Sequence, residues 1–114
     1  MITRVGIPTE RRTVVVLGRS ASGATLPSVA EVLDTILVVA IGWPLTDRQR
    51  DVLDRAEELA RTARVVLDAH LVSSAPAAAA LVGSEDRLVL DAGAREARRI
   101  RRSLGGRPIA PGAR

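Results

Sequence analysis

A loop of small residues is the part of this chain whose composition and spacing best suit chemistry. Residues 18–25 read GRSASGAT, which has the spacing of the phosphate-binding pattern G-x-x-x-x-G-K-[ST] between a β-branched run and a helical segment. Small side chains let backbone N–H groups point into such a loop, and the start of the following helix favours an anion there. We therefore predict an anion- or nucleotide-binding site formed by Gly18, Arg19, Ser20, Ser22, Gly23 and Thr25.

An acid at the end of an apolar run is the second candidate. Residues 64–68 read RVVLD, so Asp68 is expected at the carboxyl end of a strand. Open α/β sheets bind their ligands outside the carboxyl ends of their strands. Asp68 therefore has the position expected of an acid that orients a metal ion.

The hydrophobic pattern predicts the framework that must position these residues. Four apolar runs predict strands, at 13–17, 35–41, 64–68 with an extension to 72, and 87–91. Helical segments follow them, starting at Pro27, at 47–62, in a short alanine-rich stretch that ends at Gly83, and at 94–104. Doubly apolar strands that alternate with amphipathic helices imply a parallel sheet covered on both faces. The predicted fold is α/β: a small three-layer sandwich with a four-strand, mostly parallel sheet and helices on both faces.

The segment 47–62 carries the clearest helical signals. Thr46 and Gln49 match the capping-box pattern T-x-x-Q. The residues predicted to face the sheet are Val52, Leu53, Ala56, Leu59 and Ala60. Elsewhere, the only aromatic residue, Trp43, is expected to fill the core beside the sheet, and the only histidine, His70, to be partly buried or in a loop.

Length and composition indicate one domain. A chain of 114 residues suits a single domain, predicted here as 13–104 with an N-terminal arm at 1–12 and a disordered tail at 105–114. With no cysteine and one histidine, disulfides, cysteine–zinc sites and multi-histidine metal sites are excluded. The longest apolar run, 36–45, is too short to span a membrane, and the first residues lack the apolar region of a signal peptide. A cytoplasmic location is therefore predicted.

The positive charge of the chain is confined to its C-terminal segment. The formal net charge is +4, yet residues 1–94 hold ten arginines and twelve acids, whereas residues 95–114 hold seven arginines and one acid. We predict weak, sequence-independent binding of nucleic acid or acidic lipid by Arg95, Arg98, Arg99 and Arg102. Because no aromatic residues lie between them, only phosphate contacts are indicated.

Residues 13–104 loosely resemble the P-loop NTPases, and more narrowly the partition-type ATPases and bacterial tyrosine kinases. In that group a signature basic residue lies early in the loop, and Arg19 occupies this position. Residues 65–74, VVLDAHLVSS, are similar to the strand, acid and following loop of the group, and 88–104 are similar to its later strand and basic helix. Ala24 replaces the loop lysine, so the motif is a degenerate Walker A sequence.

The resemblance implies Mg-nucleotide or phosphate as the ligand. If Mg-nucleotide binds, Thr25 would hold the magnesium and Asp68 would orient it. Arg19 would have to supply the charge of the missing lysine, and arginine is not equivalent to lysine. We therefore interpret the chain as a small regulatory or binding module without NTPase turnover. An unidentified protein partner is expected, and a homodimer is left open.

Three other classes stay open. Residues 37–106 resemble an anti-sigma-factor-antagonist (STAS) domain, in which Ser73 or Ser74 would be the phosphorylated position and the first strand would be peripheral. Non-specific nucleic-acid binding through the arginine-rich helix is the second class. A PIN-type nuclease is the third, and its acidic cluster would have to come from Asp34, Asp68 and Asp91.

Overall fold

The structure is a computed structural model that describes residues 12–26, 35–83 and 85–105. Its elements, in chain order, are β1 (Arg12–Leu17), β2 (Thr35–Ile41), α1 (Asp47–Ala63), β3 (Leu67–Val72), α2 (Ala75–Ala79), β4 (Arg87–Asp91) and α3 (Ala94–Ser103). The predicted helix that starts at Pro27, most of the predicted arm and nearly all of the predicted tail lie outside the described residues.

The four strands form one sheet in the order β3-β2-β1-β4, and every neighbouring pair is parallel. The predicted α/β fold with a four-strand parallel sheet is confirmed. From β1 to β3 the chain adds strands in one direction, and it then crosses back to place β4 on the other side of β1. This reversal creates a topological switch point between the carboxyl ends of β1 and β4, which is where doubly wound sheets bind ligands.

Apolar side chains cover both faces of the sheet. On one face, α1 packs against alternate residues of β1 and β2, among them Val15 and Val38. On the other face, α2 and α3 pack against Val14 and Val39. Because successive residues of a strand point to opposite faces, an unbroken apolar run serves both layers.

Helix α1 confirms its predicted start and its predicted buried stripe. Thr46 and Gln49 form both hydrogen bonds of a capping box. The predicted inward-facing residues are all on the core side: Val52, Ala56 and Ala60 are buried, and Leu53 and Leu59 are partly buried against the same cluster.

Two strands differ from their predicted bounds, each for a local reason. Arg12, placed in the arm by the sequence, begins β1, and its guanidinium pairs with Asp86 at 2.7 Å. Strand β3 starts at Leu67 because Arg64 and Val65 form the C-terminal cap of α1. Arg64 is the left-handed C-cap of α1 with a φ of 60°, and the Val65 N–H donates to the Ala60 carbonyl at 2.9 Å.

Trp43 was expected to fill the core and His70 to be partly buried or in a loop, and both are exposed. Trp43 is 75% exposed, so the prediction that it fills the core is wrong. The chain turns at Gly42, which has a φ of 100°, and Trp43 therefore leaves the layer of β2. His70 lies exposed in β3, an edge strand. Within the described residues, no helix is long and apolar enough to cross a membrane.

Candidate functional site

The 18–25 loop leaves β1 at the switch point, directly beside the end of β4. Leu17 pairs with Asp91 in the sheet register, and the Gly18 N–H donates to the Asp91 carbonyl at 3.0 Å. The loop also approaches the start of α3, which follows β4 after a short turn. The structure therefore places the predicted anion-binding residues where a ligand site of this fold is expected.

The second half of the loop is bound by the carboxylate of Asp91. One carboxylate oxygen accepts the N–H of Ser22 at 2.9 Å. The other accepts the N–H of Gly23 at 2.9 Å and the hydroxyl of Thr25 at 3.0 Å. Asp91 is only 3% exposed, so these hydrogen bonds compensate for the burial of its charge.

The first half of the loop is bound by the carboxylate of Glu96. This carboxylate accepts the N–H of Arg19 at 2.7 Å, the N–H of Ser20 at 2.9 Å and the Ser20 hydroxyl at 2.5 Å. The Ser20 oxygen in turn accepts the N–H of Gly93, the N-cap of α3, at 2.8 Å. Glu96 lies in the first turn of α3, where the helix dipole favours a negative charge.

The two carboxylates take the positions that an external anion would need. Four backbone N–H groups and two hydroxyls of the loop donate to Asp91 or Glu96. A phosphate at the same donors would have to displace a carboxylate and would be repelled by its charge. The loop has the donor geometry of an anion site, and the chain supplies its own anions.

Glycine is required at two positions of the loop for different reasons. A Cβ atom on Gly18 would lie 2.5 Å from the Glu96 carboxyl group, so only glycine lets that carboxylate approach the backbone. Gly23 has a φ of 87°, a conformation that side chains other than glycine rarely adopt. Both glycines of the motif therefore serve the internal carboxylate contacts.

Two guanidinium groups adjoin the loop, and both donate to backbone carbonyls. Arg19 donates through Nη1 to the Pro44 carbonyl at 2.7 Å. Arg55 of α1 donates through Nη2 to the Ser22 carbonyl at 3.2 Å and to Asp51 at 3.1 Å. These contacts hold the loop against the middle of α1 and against the segment that precedes the helix.

The structure does not bring together the two residues predicted to hold magnesium. Asp68 is the second residue of β3 and pairs with Leu37, which in turn pairs with Val14 of β1. Asp68 is therefore level with Val14, three residues before the end of β1. This places it about 10 Å below the loop along the strand direction. Thr25 instead donates its hydroxyl to Asp91. Within the described residues, no group of three or more acids or histidines could hold a metal ion.

The structure also places the serines of the STAS-like hypothesis and two of the three acids of the nuclease hypothesis. Ser74 is the N-cap of α2, Ser73 is exposed, and β1 is central rather than peripheral as a STAS-like domain requires. Asp68 and Asp91 stand on opposite edge strands, about 14 Å apart across the sheet. Asp34 lies outside the described residues.

The arginines of α3 form a separate exposed surface. Within the part of the chain that the structure describes, none of them forms an ion pair. We call this surface the α3 arginine face; its members are Arg95, Arg98, Arg99, Arg101 and Arg102, all exposed. Ile100 and Leu104 are buried on the opposite side and fix α3 to the sheet.

Sequence reasoning named Asp91 only for a nuclease-type acidic cluster, gave Glu96 no role, and connected neither acid with the loop. Asp91 ends an apolar strand as Asp68 was expected to, but the pairing of β1 with β4 was needed to select it. Glu96 looked like a lone acid among arginines. Its position three residues after Gly93 marked it as a first-turn acid, and this was the available signal.

Glu96 is expected to make the stability of the protein depend on pH. Burial raises its pKa, but hydrogen bonds from Ser20 and Arg19 and the charge of Arg99 outweigh burial, so the pKa lies below its ordinary value. A pKa lowered by folding stabilises the folded state above the unfolded pKa, and this contribution is lost as the pH falls through the folded pKa. Glu96→Gln should therefore be less stable than the parent at neutral pH, and the difference should close below about pH 4.

Urea denaturation across a pH series measures this difference. Glu57→Gln, which changes an exposed glutamate of α1, is the matched control and should follow the parent at every pH. A deficit for Glu96→Gln that stayed constant with pH would contradict the assignment.

Comparisons with known proteins found no match. No protein-family model matches the chain, and neither a curated protein nor a solved structure does. The function is therefore inferred from the geometry of the chain itself.

Proposed function

We propose that this chain is a small cytoplasmic regulatory or binding module on a P-loop-like frame, without NTPase turnover. The observation that supports this proposal is the binding of the loop donors by Asp91 and Glu96. In this arrangement the loop is a structural joint between β1, β4 and α3.

The chemistry of phosphoryl transfer supports the same proposal. That reaction needs a cation on the terminal phosphates and a positioned magnesium ion. Ala24, exposed at the lysine position, carries no charge, and the guanidinium of Arg19 donates to the Pro44 carbonyl. The acid predicted to orient magnesium, Asp68, stands away from the loop on an edge strand. The residues of the loop thus lack the groups that turnover would use.

A nucleotide-binding and turnover assay tests this proposal. We expect no ATP hydrolysis. A ligand that binds the folded state raises the melting temperature, and we expect no such rise with millimolar Mg-ATP, Mg-ADP or sulfate. Arg19→Ala removes the cation of the loop, and Arg48→Ala removes an exposed arginine of α1 as the matched control. A ligand-induced rise lost only in Arg19→Ala would establish an anion site at the predicted residues instead.

Binding of a polyanion is a second candidate function, and the α3 arginine face favours it. Like charges three and four residues apart on a helix repel one another. Within the described residues these arginines have no ion-pair partner to relieve that repulsion. A nucleic acid or an acidic lipid surface would relieve it and release counterions, so its affinity should fall steeply with salt.

A charge-removal series tests the second candidate. Arg98, Arg99 and Arg102 are changed together to glutamine, and DNA binding is measured at ~50 and ~200 mM salt. The matched control removes the same charge from α1 by changing Arg48, Arg50 and Arg61 to glutamine. We expect binding to be lost in the first variant and kept in the control. Equal loss in both variants would assign the effect to net charge, and a flat salt response in the parent would remove the candidate.

A further inference from the structure

Strand β3 has a free outer edge within the described part of the chain. It is the last strand in the order β3-β2-β1-β4. The Val66 carbonyl accepts from the Ile36 N–H at 2.9 Å, and the Val72 carbonyl accepts from the Gly42 N–H at 2.8 Å. Because backbone groups alternate in direction along a strand, the N–H and C=O groups of residues 66, 68, 70 and 72 face β2. The outward-facing N–H and C=O groups are those of Leu67, Ala69 and Leu71.

The sequence of this edge is symmetric. Residues 66–72 read VLDAHLV, which is the same from either end except that Asp68 and His70 exchange places. Ala69 is at the centre. A segment with this symmetry places equal or complementary residues opposite each other when it pairs antiparallel with itself.

The edge also exposes apolar surface that nothing in the described chain covers. Two large apolar side chains of this segment are exposed: Val66 at 64% and Leu71 at 42%. The segment holds no proline or lysine, which commonly block pairing at an edge, and its one acid is Asp68. A shallow apolar pocket between α1 and the sheet opens at the same place, lined partly by Leu53, Ala69 and Leu71.

We propose that two copies of this chain pair antiparallel through β3, about a two-fold axis at Ala69. Leu67 of each copy then lies opposite Leu71 of the other, and Ala69 lies opposite itself. These are the residues whose backbone groups point outward, so every outward N–H and C=O finds a partner. A two-fold interface of this kind uses the same surface on both copies.

The side chains fit the same register. Asp68 lies opposite His70 of the second copy in a non-hydrogen-bonded pair, where side chains are closest. A carboxylate accepts, and an imidazole donates in either of its protonation states, so the two are complementary. On the α1 face, each Leu67–Leu71 pair extends the apolar surface beside Leu53.

Neighbouring registers are less favourable. A shift that moves the axis to Asp68 places two carboxylates opposite each other, and like charges in that position are destabilising. A shift to His70 sets imidazole against imidazole. A register centred between two residues sets outward backbone groups against inward ones. Among these registers, the axis at Ala69 is the one that pairs the outward backbone groups and also sets Asp68 opposite His70.

A cross-linking experiment tests the proposed register. The chain has no cysteine, so a single introduced thiol reports one position. At the axis, Ala69→Cys brings two Cα atoms to about 5.5 Å, which is within disulfide range. The matched control, Val66→Cys, is exposed on the same segment but lies roughly 20 Å from its copy in this register.

We expect mild oxidation to give a covalent dimer of Ala69→Cys and to leave Val66→Cys uncoupled. Coupling of both variants at equal rates would indicate random collision and overturn the proposal. So would the absence of coupling in Ala69→Cys, or a parent chain that is monomeric by sedimentation equilibrium at every concentration tested.

A residue exchange tests the charge pairs independently. Asp68→His sets two imidazoles opposite each other across the interface, and His70→Asp sets two carboxylates opposite each other, so each single variant should dimerise roughly tenfold more weakly. The double exchange of Asp68→His with His70→Asp rebuilds both pairs and should restore the parent dissociation constant. Equal dimerisation of all four proteins, or a double variant no better than the singles, would overturn the register.

Discussion

Asp91→Ala is expected to lower the free energy of unfolding by about 3–5 kcal/mol, which is the largest effect we expect from one substitution. The Asp91 carboxylate binds the N–H groups of Ser22 and Gly23 and the hydroxyl of Thr25 in a buried site. Alanine would leave these donors without their acceptor. A domain of this size has a total stability of about 5–15 kcal/mol, so the variant should melt far below the parent.

Urea denaturation of matched variants measures this effect. Asp91→Asn keeps one acceptor oxygen and should lose less stability than Asp91→Ala. Asp51→Ala removes an acid that forms an exposed ion pair with Arg55, and it should cost under about 1 kcal/mol. Similar losses for Asp91→Ala and Asp51→Ala would mean that Asp91 does not hold the loop.

The contrast between Asp68 and Asp91 shows how far the sequence could predict this structure. RVVLD and RLVLD look alike as sequences, and both predict a strand that ends in an acid. In the structure, RLVLD forms β4 over its full length, whereas only the last two residues of RVVLD enter β3. The residues before them close α1 through the left-handed cap at Arg64 and the hydrogen bond from Val65 to Ala60, which a hydrophobic pattern does not reveal.

The element order was predictable because its signals are local. Strand β2 and the start of α1 follow from an apolar run and a capping box. The partners of the 18–25 loop were not predictable in this way, because Asp91 and Glu96 lie about seventy residues away in the chain. Which strand lies beside β1 decides which acid meets the loop, and strand order is a long-range property of the fold.

The exposed edge of β3 was also beyond the sequence pattern. An apolar run predicts a strand without saying whether it is central or peripheral. The arrangement β3-β2-β1-β4 leaves β3 with one neighbour among the described residues, which turns Leu71 and His70 to the surface. The symmetry of 66–72 acquires a meaning only once that edge is known to be free.

Gln49→Met is the second substitution expected to have a large effect, with a loss of about 2–4 kcal/mol in the free energy of unfolding. Gln49 is fully buried, and its amide nitrogen donates to the carbonyls of Leu17 at 3.2 Å and Ile41 at 2.8 Å. Its amide oxygen accepts the Thr46 N–H at 3.0 Å. One side chain thus joins the ends of β1 and β2 to the start of α1. Methionine has a similar length and fills the space, but it leaves these buried backbone groups unpaired.

Gln49→Glu separates the lost hydrogen bonds from any change in packing. A carboxylate there would face the Leu17 and Ile41 carbonyl oxygens, so at neutral pH this variant should be less stable than Gln49→Met. Burial raises the pKa of such a carboxyl, and its protonated form regains one donor. The deficit of Gln49→Glu relative to the parent should therefore shrink as the pH falls, whereas that of Gln49→Met should not. Arg50→Met, an exposed change at the next residue, should cost little at any pH. If the Gln49→Glu deficit did not depend on pH, the two carbonyls would not be the partners that make Gln49 important.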